Sequence, residues 1–159
     1  MSKQLLLLRT YALAITLAMG ACAYNPVQPG MSRADVIARM GAPDRTVPLA
    51  SGGTRLQYSG QSAGPYAYMV DLDAADRVVQ MRQVLAPAEF SRIVVNQWTR
   101  DDVERAFGRP ASIDHVASWP ADIMTYRWYD GEKMFFWVYL DRNNVVRRTE
   151  QGREYLRDD

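Results

Sequence analysis

The chain of 159 residues has very little of the residue types that bind transition metals or serve as nucleophile and base, because it contains one cysteine and one histidine. A single cysteine cannot form a disulfide within the chain. One cysteine and one histidine also cannot complete a four-ligand structural zinc site. The sequence contains no GxSxG nucleophile elbow, no Walker loop and no Rossmann fingerprint. We therefore expect a protein that is not an enzyme and that binds no cofactor and no metal.

The remaining candidates for chemistry are His115 and an acidic cluster formed by Asp71, Asp73 and Asp76. His115 falls in a predicted strand, where we expect a surface or hydrogen-bonded histidine rather than a general base. Several carboxylates on one loop would suit calcium. However, Asp71 and Asp73 alternate along a predicted strand, and the spacing and glycine of an EF-hand are missing. We interpret this cluster as a solvated strand end.

Neither sign of charge is in excess, since the chain has 19 basic and 18 acidic residues. This balance gives no reason to expect nucleic acid or an acidic membrane surface as a partner. Apolar residues make up 48% of the chain, which is enough material for a hydrophobic core.

The first 21 residues have the pattern of a secretory signal peptide. Lys3 and Arg9 are their only charges, and the apolar run from Thr10 to Met19 is too short to span a bilayer, which needs about 20 apolar residues. The segment ends in LAMGAC, which resembles the lipobox of bacterial lipoproteins. That resemblance implies cleavage before Cys22, attachment of lipid (palmitate among the acyl chains) to Cys22, and retention at the outer membrane because Ala23 follows. The alternative is an ordinary cleaved signal with an incidental cysteine.

An internal repeat dominates the rest of the sequence. SRADVIARMGAP, from Ser32 to Pro43, returns as TRDDVERAFGRP, from Thr99 to Pro110. The similarity continues downstream, where Tyr58, Val70, Leu72 and Asp73 correspond to Tyr126, Val138, Leu140 and Asp141. We therefore predict a signal peptide over 1–21, a lipidated tether over 22–30, and two repeats over 31–85 and 86–159.

Each repeat is predicted to open with a short helix. Ser32 and Thr99 are good N-caps, and Gly41 and Gly108 end the helices, with a proline two residues later in each case. A further helix is predicted at about 88–94. Predicted strands follow at Arg45–Leu49, Arg55–Ser59, Tyr66–Asp73, Val78–Leu85, Ala111–Ser118, Ile123–Tyr129, Lys133–Asp141 and Val145–Glu150. The expected fold class is α+β, with two tandem helix-plus-antiparallel-sheet repeats.

Strand alternation predicts an aromatic outer face in the second repeat. Successive strand residues point to opposite faces, so Met134, Phe136, Val138 and Leu140 should face the core together with Tyr126 and Trp128. The opposite face should then carry the candidate partner-binding residues Arg127, Tyr129, Phe135, Trp137 and Tyr139. Such a face needs a cover, which could be the other repeat or a partner protein or lipid. In the first repeat we expect Tyr66, Tyr68, Val70 and Leu72 to form the core face, with a more polar second face.

The pattern GMSRADVIARMGAPD, followed by an aromatic hairpin and LDxxxxVV, resembles the SmpA/OmlA family of BamE-like outer-membrane lipoproteins. Those lipoproteins are accessories of the β-barrel assembly machine, and this chain would contain two such modules. Two modules in tandem are also similar to the β-lactamase inhibitor proteins. The resemblance implies a lipid-anchored, periplasm-facing accessory or scaffold in outer-membrane protein assembly or envelope maintenance. Its partner would be an envelope protein, with the assembly machine as the candidate that the resemblance implies.

Two other functions remain open. An inhibitor module would bind a soluble periplasmic enzyme one to one, without depending on Cys22. A carrier of lipid or another apolar ligand would have a deep cavity between sheet and helices.

Overall fold

A computed structural model describes residues 27–154 of the chain. The predicted signal peptide and Cys22 lie outside the described residues. No helix within 27–154 is long and apolar enough to cross a membrane. The elements, in chain order, are α1 (Arg33–Met40), β1 (Arg45–Pro48), β2 (Thr54–Ser59), β3 (Ala67–Leu72), β4 (Val78–Gln83), α2 (Pro87–Phe90), α3 (Arg100–Phe107), β5 (Ser112–Asp114), β6 (Ile123–Tyr129), β7 (Lys133–Leu140) and β8 (Val146–Arg153).

The strands form two four-stranded antiparallel sheets, β1-β2-β3-β4 and β5-β6-β7-β8, in which every strand pairs with its neighbours in sequence. The α+β fold class predicted as two tandem helix-plus-sheet repeats is wrong, because the described chain is mainly β. Its helices have only eight, four and eight residues. The physical reason is that each of the two longer helices is confined between an N-cap residue and a glycine C-cap that lie about two turns apart. The four-stranded sheet that follows each of them contains many more residues.

The sequence repeat corresponds to matched details of the two sheets. The hydroxyl of Tyr58 donates to the carbonyl of Gly41 at 3.1 Å, and the hydroxyl of Tyr126 donates to the carbonyl of Gly108 at 2.9 Å. Both glycines have a positive φ, 82° and 77°, a backbone conformation that residues with a side chain rarely adopt. The register also shifts at equivalent points, between Asp71 and Leu72 in β3 and between Tyr139 and Leu140 in β7. The tyrosine therefore ties the end of each glycine-stopped helix to the second strand of the sheet that follows.

One core lies between α1 and the first sheet. Val36 of α1 is fully buried against the apolar residues on one face of β2, β3 and β4. The buried members of this core are Val27, Val36, Leu56, Tyr58, Val70, Leu72 and Val78. Tyr66, predicted as a core residue, is 41% exposed because it precedes the first residue of β3.

The second face of the first sheet, expected to be the more polar of its two faces, is also buried. Ala67 and Met69 of β3 are fully buried and belong to the same core as Phe107 of α3 and Phe136 of β7. Helices α2 and α3 therefore lie between the second face of the first sheet and the inner face of the second sheet. The contact between the two halves is made on that inner side.

Polar side chains of the first sheet satisfy the end of α3. The last carbonyls of a helix have no partner within it. The side-chain amide of Gln57 donates to the carbonyls of Glu104 and Arg105 at 3.0 Å each, and the hydroxyl of Ser59 donates to the carbonyl of Arg109 at 2.7 Å. These hydrogen bonds fix where the second half sits on the first, and Gln57 is 1% exposed as a result.

A buried ion pair stands on the same face. The guanidinium of Arg55 donates to both carboxylate oxygens of Asp71, with Nε at 2.6 Å and Nη2 at 2.8 Å, and Gln80 donates to Asp71 at 2.9 Å. Burial by itself would raise the pKa of Asp71, but the hydrogen bonds and charge of Arg55 outweigh it and leave the pKa below its usual value. Asp71 is therefore a structural residue of a buried face, and the interpretation as a solvated strand end is wrong for it.

Candidate functional site

The candidate site is the face of the second sheet that points away from the core, here called the outer aromatic face. The predicted members are Arg127, Tyr129, Phe135, Trp137 and Tyr139, and the structure places all of them on that face. The register sets Arg127 opposite Phe135, Thr125 opposite Trp137 and Ile123 opposite Tyr139. Their inward-facing neighbours Tyr126, Trp128, Phe136 and Val138 are buried.

Four of the five predicted residues are half-buried, and Tyr129 is 61% exposed. The rings of Phe135 and Trp137 lie 5.6 Å apart. Gly152 on β8 leaves room for the indole of Trp137, because a Cβ at that position would lie 2.8 Å from the ring. The glycine thus leaves space for a large ring beside β8.

At one end of the face, Tyr139 stands in a polar and aromatic cluster. Its hydroxyl donates to the carboxylate of Glu150 at 2.7 Å, and the guanidinium of Arg148 lies 4.0 Å from its ring centre. The ring of Trp119 packs edge-on at 5.2 Å, and its indole N–H donates to the carbonyl of Leu140 at 2.6 Å. Partial burial, followed by the hydrogen bond to Glu150, raises the pKa of Tyr139. The cluster fixes the ring of Tyr139 while leaving Arg148 and Glu150 at the surface.

At the other end, the first half of the molecule reaches the rim of the face. The side-chain amide of Gln61 donates to the carbonyl of Arg127 at 2.9 Å and accepts from its backbone N–H at 2.6 Å. Past the pair of Thr125 with Ser112, the first residue of β5, this edge of β6 has no strand beside it, and the side chain of Gln61 makes the hydrogen bonds of a neighbouring strand there. A cleft of about 520 Å³ lies beside this contact and is bounded by Gln61, Ser62, Phe135 and Trp137.

Sequence reasoning found the aromatic residues and missed Trp119, Arg148 and Glu150. Arg148 and Glu150 lie opposite Tyr139 and Trp137 in the register between β7 and β8. The short connection between the predicted strands Lys133–Asp141 and Val145–Glu150 would have allowed this pairing to be drawn. Trp119 comes from the segment between β5 and β6, and no periodic pattern marks it.

The other candidates for chemistry, His115 and Asp73, have polar partners. The exposed His115 lies just after β5, and its Nε2 is 2.6 Å from Asp122. Asp73 accepts from the backbone N–H groups of Ala75 and Arg77 and so closes the turn before β4. Within residues 27–154, no three histidine, cysteine or acidic residues are grouped so as to hold a metal.

Comparison with known proteins adds little. No protein-family model matches the chain. None of the curated proteins matches it either. A crystal structure of a DUF4309 family protein (YjgB) from Bacillus subtilis is similar over 77% of this chain and 78% of its own length, at 13% identity and a TM-score of 0.32. A similarity of that level carries no argument about fold or function.

Proposed function

We propose that this protein is a lipid-anchored accessory of the outer membrane that binds an envelope protein through the outer aromatic face of its second sheet. It performs no catalysis itself. Its anchor is lipid on Cys22, and its partner is a component of outer-membrane protein assembly. Attachment to the membrane raises the effective concentration of the two proteins for each other.

The observation that carries the proposal is the composition and exposure of the outer aromatic face. Tyrosine, tryptophan and arginine dominate binding hot spots, and this face presents Tyr129, Trp137, Tyr139, Arg127 and Arg148 together. Antiparallel sheets with one solvated face usually carry polar residues on it. Two large rings, Phe135 and Trp137, instead lie beside an open cleft.

The anchor rests on sequence alone. The lipobox-like LAMGAC and the resemblance of GMSRADVIARMGAPD to the SmpA/OmlA family support both the lipid and the assembly role. The test is metabolic labelling with a palmitate analogue in a bacterial host, followed by membrane fractionation. We expect label and outer-membrane location for the wild type and neither for Cys22→Ser. A wild-type protein without label would contradict the anchor.

The binding role is tested by photo-crosslinking in intact cells. A photoreactive phenylalanine analogue at Tyr129, which is 61% exposed on the outer aromatic face, should crosslink to a subunit of the β-barrel assembly machine. The matched control is the same analogue at Val79, which is 55% exposed on β4 of the first sheet. Equal crosslinking from both positions, or none from Tyr129, would contradict docking on this face.

A further inference from the structure

A cavity of about 560 Å³ lies beside the first sheet, close to the end of α1. Ligand pockets in proteins have volumes of this order, about 300–1,000 Å³. The residues that line it and matter here are Met40, Tyr58, Gly60, Tyr66, Tyr68 and Met81. It is distinct from the cleft at the outer aromatic face, with which it shares none of its lining residues.

In the second half of the molecule, the equivalent space between the end of α3 and the second sheet is filled by a side chain. There Phe90, at the end of α2, is 4% exposed and has three aromatic neighbours. Its ring stacks on Phe136 at 3.9 Å with 9° between the planes, and it meets Trp128 at 5.5 Å and Phe107 at 5.6 Å edge-on. Phe90 is therefore a ring inserted between the end of a helix and the sheet that follows.

The three neighbours of Phe90 have counterparts in the first sheet. Tyr68 pairs with Gln83 as Phe136 pairs with Gln151, which makes Tyr68 the counterpart of Phe136. Met40 and Phe107 are the last residues of α1 and α3. Gly60 comes two residues after Tyr58, as Trp128 comes two residues after Tyr126.

All three counterparts, Met40, Gly60 and Tyr68, line the cavity. It therefore occupies the position that Phe90 takes in the second half. Among the described residues, the first half contains no helix equivalent to α2.

We propose that this cavity receives an aromatic side chain from a partner polypeptide, seated on Tyr68 and Met40 as Phe90 is seated on Phe136 and Phe107. Aromatic pairs and contacts between methionine sulfur and a ring both favour such an occupant. The hydroxyls of Tyr66 and Tyr68 and the charged side chains of Arg39 and Asp44 make the wall more polar than its counterpart. Tyr66, which is 41% exposed, forms part of the rim. This site goes beyond the proposed function and does not depend on lipid or on the outer aromatic face.

The molecule supplies its own probe, a capped peptide with the sequence APAEFSRI of residues 86–93. It is titrated into the secreted protein, purified in mild detergent and labelled with ¹³C in its methionine methyl groups. We expect the methyl signals of Met40 and Met81 to shift. The signals of Met69 and Met124, which are fully buried in the other core, should stay in place.

Two controls isolate the ring and the site. The same peptide with alanine in place of phenylalanine should bind at least about tenfold more weakly, because the ring supplies most of the buried apolar area. Tyr68→Ala should weaken binding of the original peptide by a similar factor, whereas Val116→Ala, at an exposed position in the second half, should leave it unchanged. Met40→Ala serves as a second site variant if Tyr68→Ala does not fold, and a thermal melt of each variant decides this.

Several outcomes would overturn the proposal. Absence of any shift, equal binding of both peptides, or shifts confined to Met69 and Met124 would each do so. Binding that appears only after Tyr24→Ala, in the predicted tether, would assign the cavity to the chain's own upstream segment instead. A co-purifying lipid whose removal is needed before the peptide binds would assign the cavity to an apolar ligand instead.

Discussion

Replacing Asp71 by asparagine should destabilise the protein strongly, because it leaves the guanidinium of Arg55 without its counter-charge in a buried position. The side chains of Asp71 and Arg55 are 8% and 15% exposed, and two hydrogen bonds of 2.6 and 2.8 Å join them. Removing one partner of a buried pair costs about 3–5 kcal/mol. Because Arg55 retains some contact with water, we expect a loss of about 3 kcal/mol, the lower end of that range.

The assay is urea or thermal unfolding followed by circular dichroism. A loss of this size lowers the melting temperature by about 10 °C in a chain of this length. Asp76→Asn is the matched control, since Asp76 also meets an arginine, Arg33, at 2.6 Å, but its side chain is 55% exposed. An exposed pair contributes about 0–1 kcal/mol. Equal losses from the two variants would refute the reasoning that burial makes the pair at Asp71 important.

The same pair sets a pH dependence. The pKa of Asp71 is lower in the folded chain than in the unfolded chain. Its contribution to stability is therefore present above the unfolded pKa, about 3.9, and is lost as the pH falls through the folded value. Wild-type stability should decline through this acidic range, and Asp71→Asn should remove this part of the decline. An unchanged acid profile in the variant would contradict the assignment.

Three further predictions concern packing around the second sheet. Tyr126→Phe should cost about 1–1.5 kcal/mol in unfolding, since it removes the fully buried hydroxyl bonded to Gly108. Phe90→Ala should cost about 3–5 kcal/mol in the same assay, and a loss below 1 kcal/mol would show that α2 does not plug the core. Gly152→Ala should displace the indole of Trp137 and change the near-ultraviolet circular dichroism, while leaving the inner core intact; an unchanged spectrum would contradict the close approach.

The local pattern predicted most of the elements. The N-caps predicted at Ser32 and Thr99 are present, each in a capping box that Asp35 or Asp102 completes. Seven of the eight predicted strands agree with the structure to within about three residues at each end, because period-two alternation and turn residues mark them. The eighth, at Ala111–Ser118, shrinks to Ser112–Asp114. The predicted fold class was wrong because the capping signals of a helix are equally clear whether the helix is short or long. They gave helices of only eight residues too much weight against the eight strands.

The outer aromatic face was predictable from alternation alone, and the burial of the first sheet's second face was not. Gln57 and Asp71 look like solvent residues in the sequence. They are buried because their polar groups meet partners that lie far away in the chain, Glu104 and Arg105 for Gln57, or across the sheet, Arg55 for Asp71. The periodicity of apolar residues in the sequence does not predict a buried polar contact of this kind.

The most direct test of the account is a mild-detergent affinity purification of the lipidated protein with mass spectrometry. It compares the wild type with a variant carrying Trp137→Ala and Tyr139→Ala that still unfolds cooperatively. Subunits of the β-barrel assembly machine captured by the wild type and lost by the variant are the result we predict. The same subunits captured equally by both forms, or by neither, would contradict a binding role for the outer aromatic face.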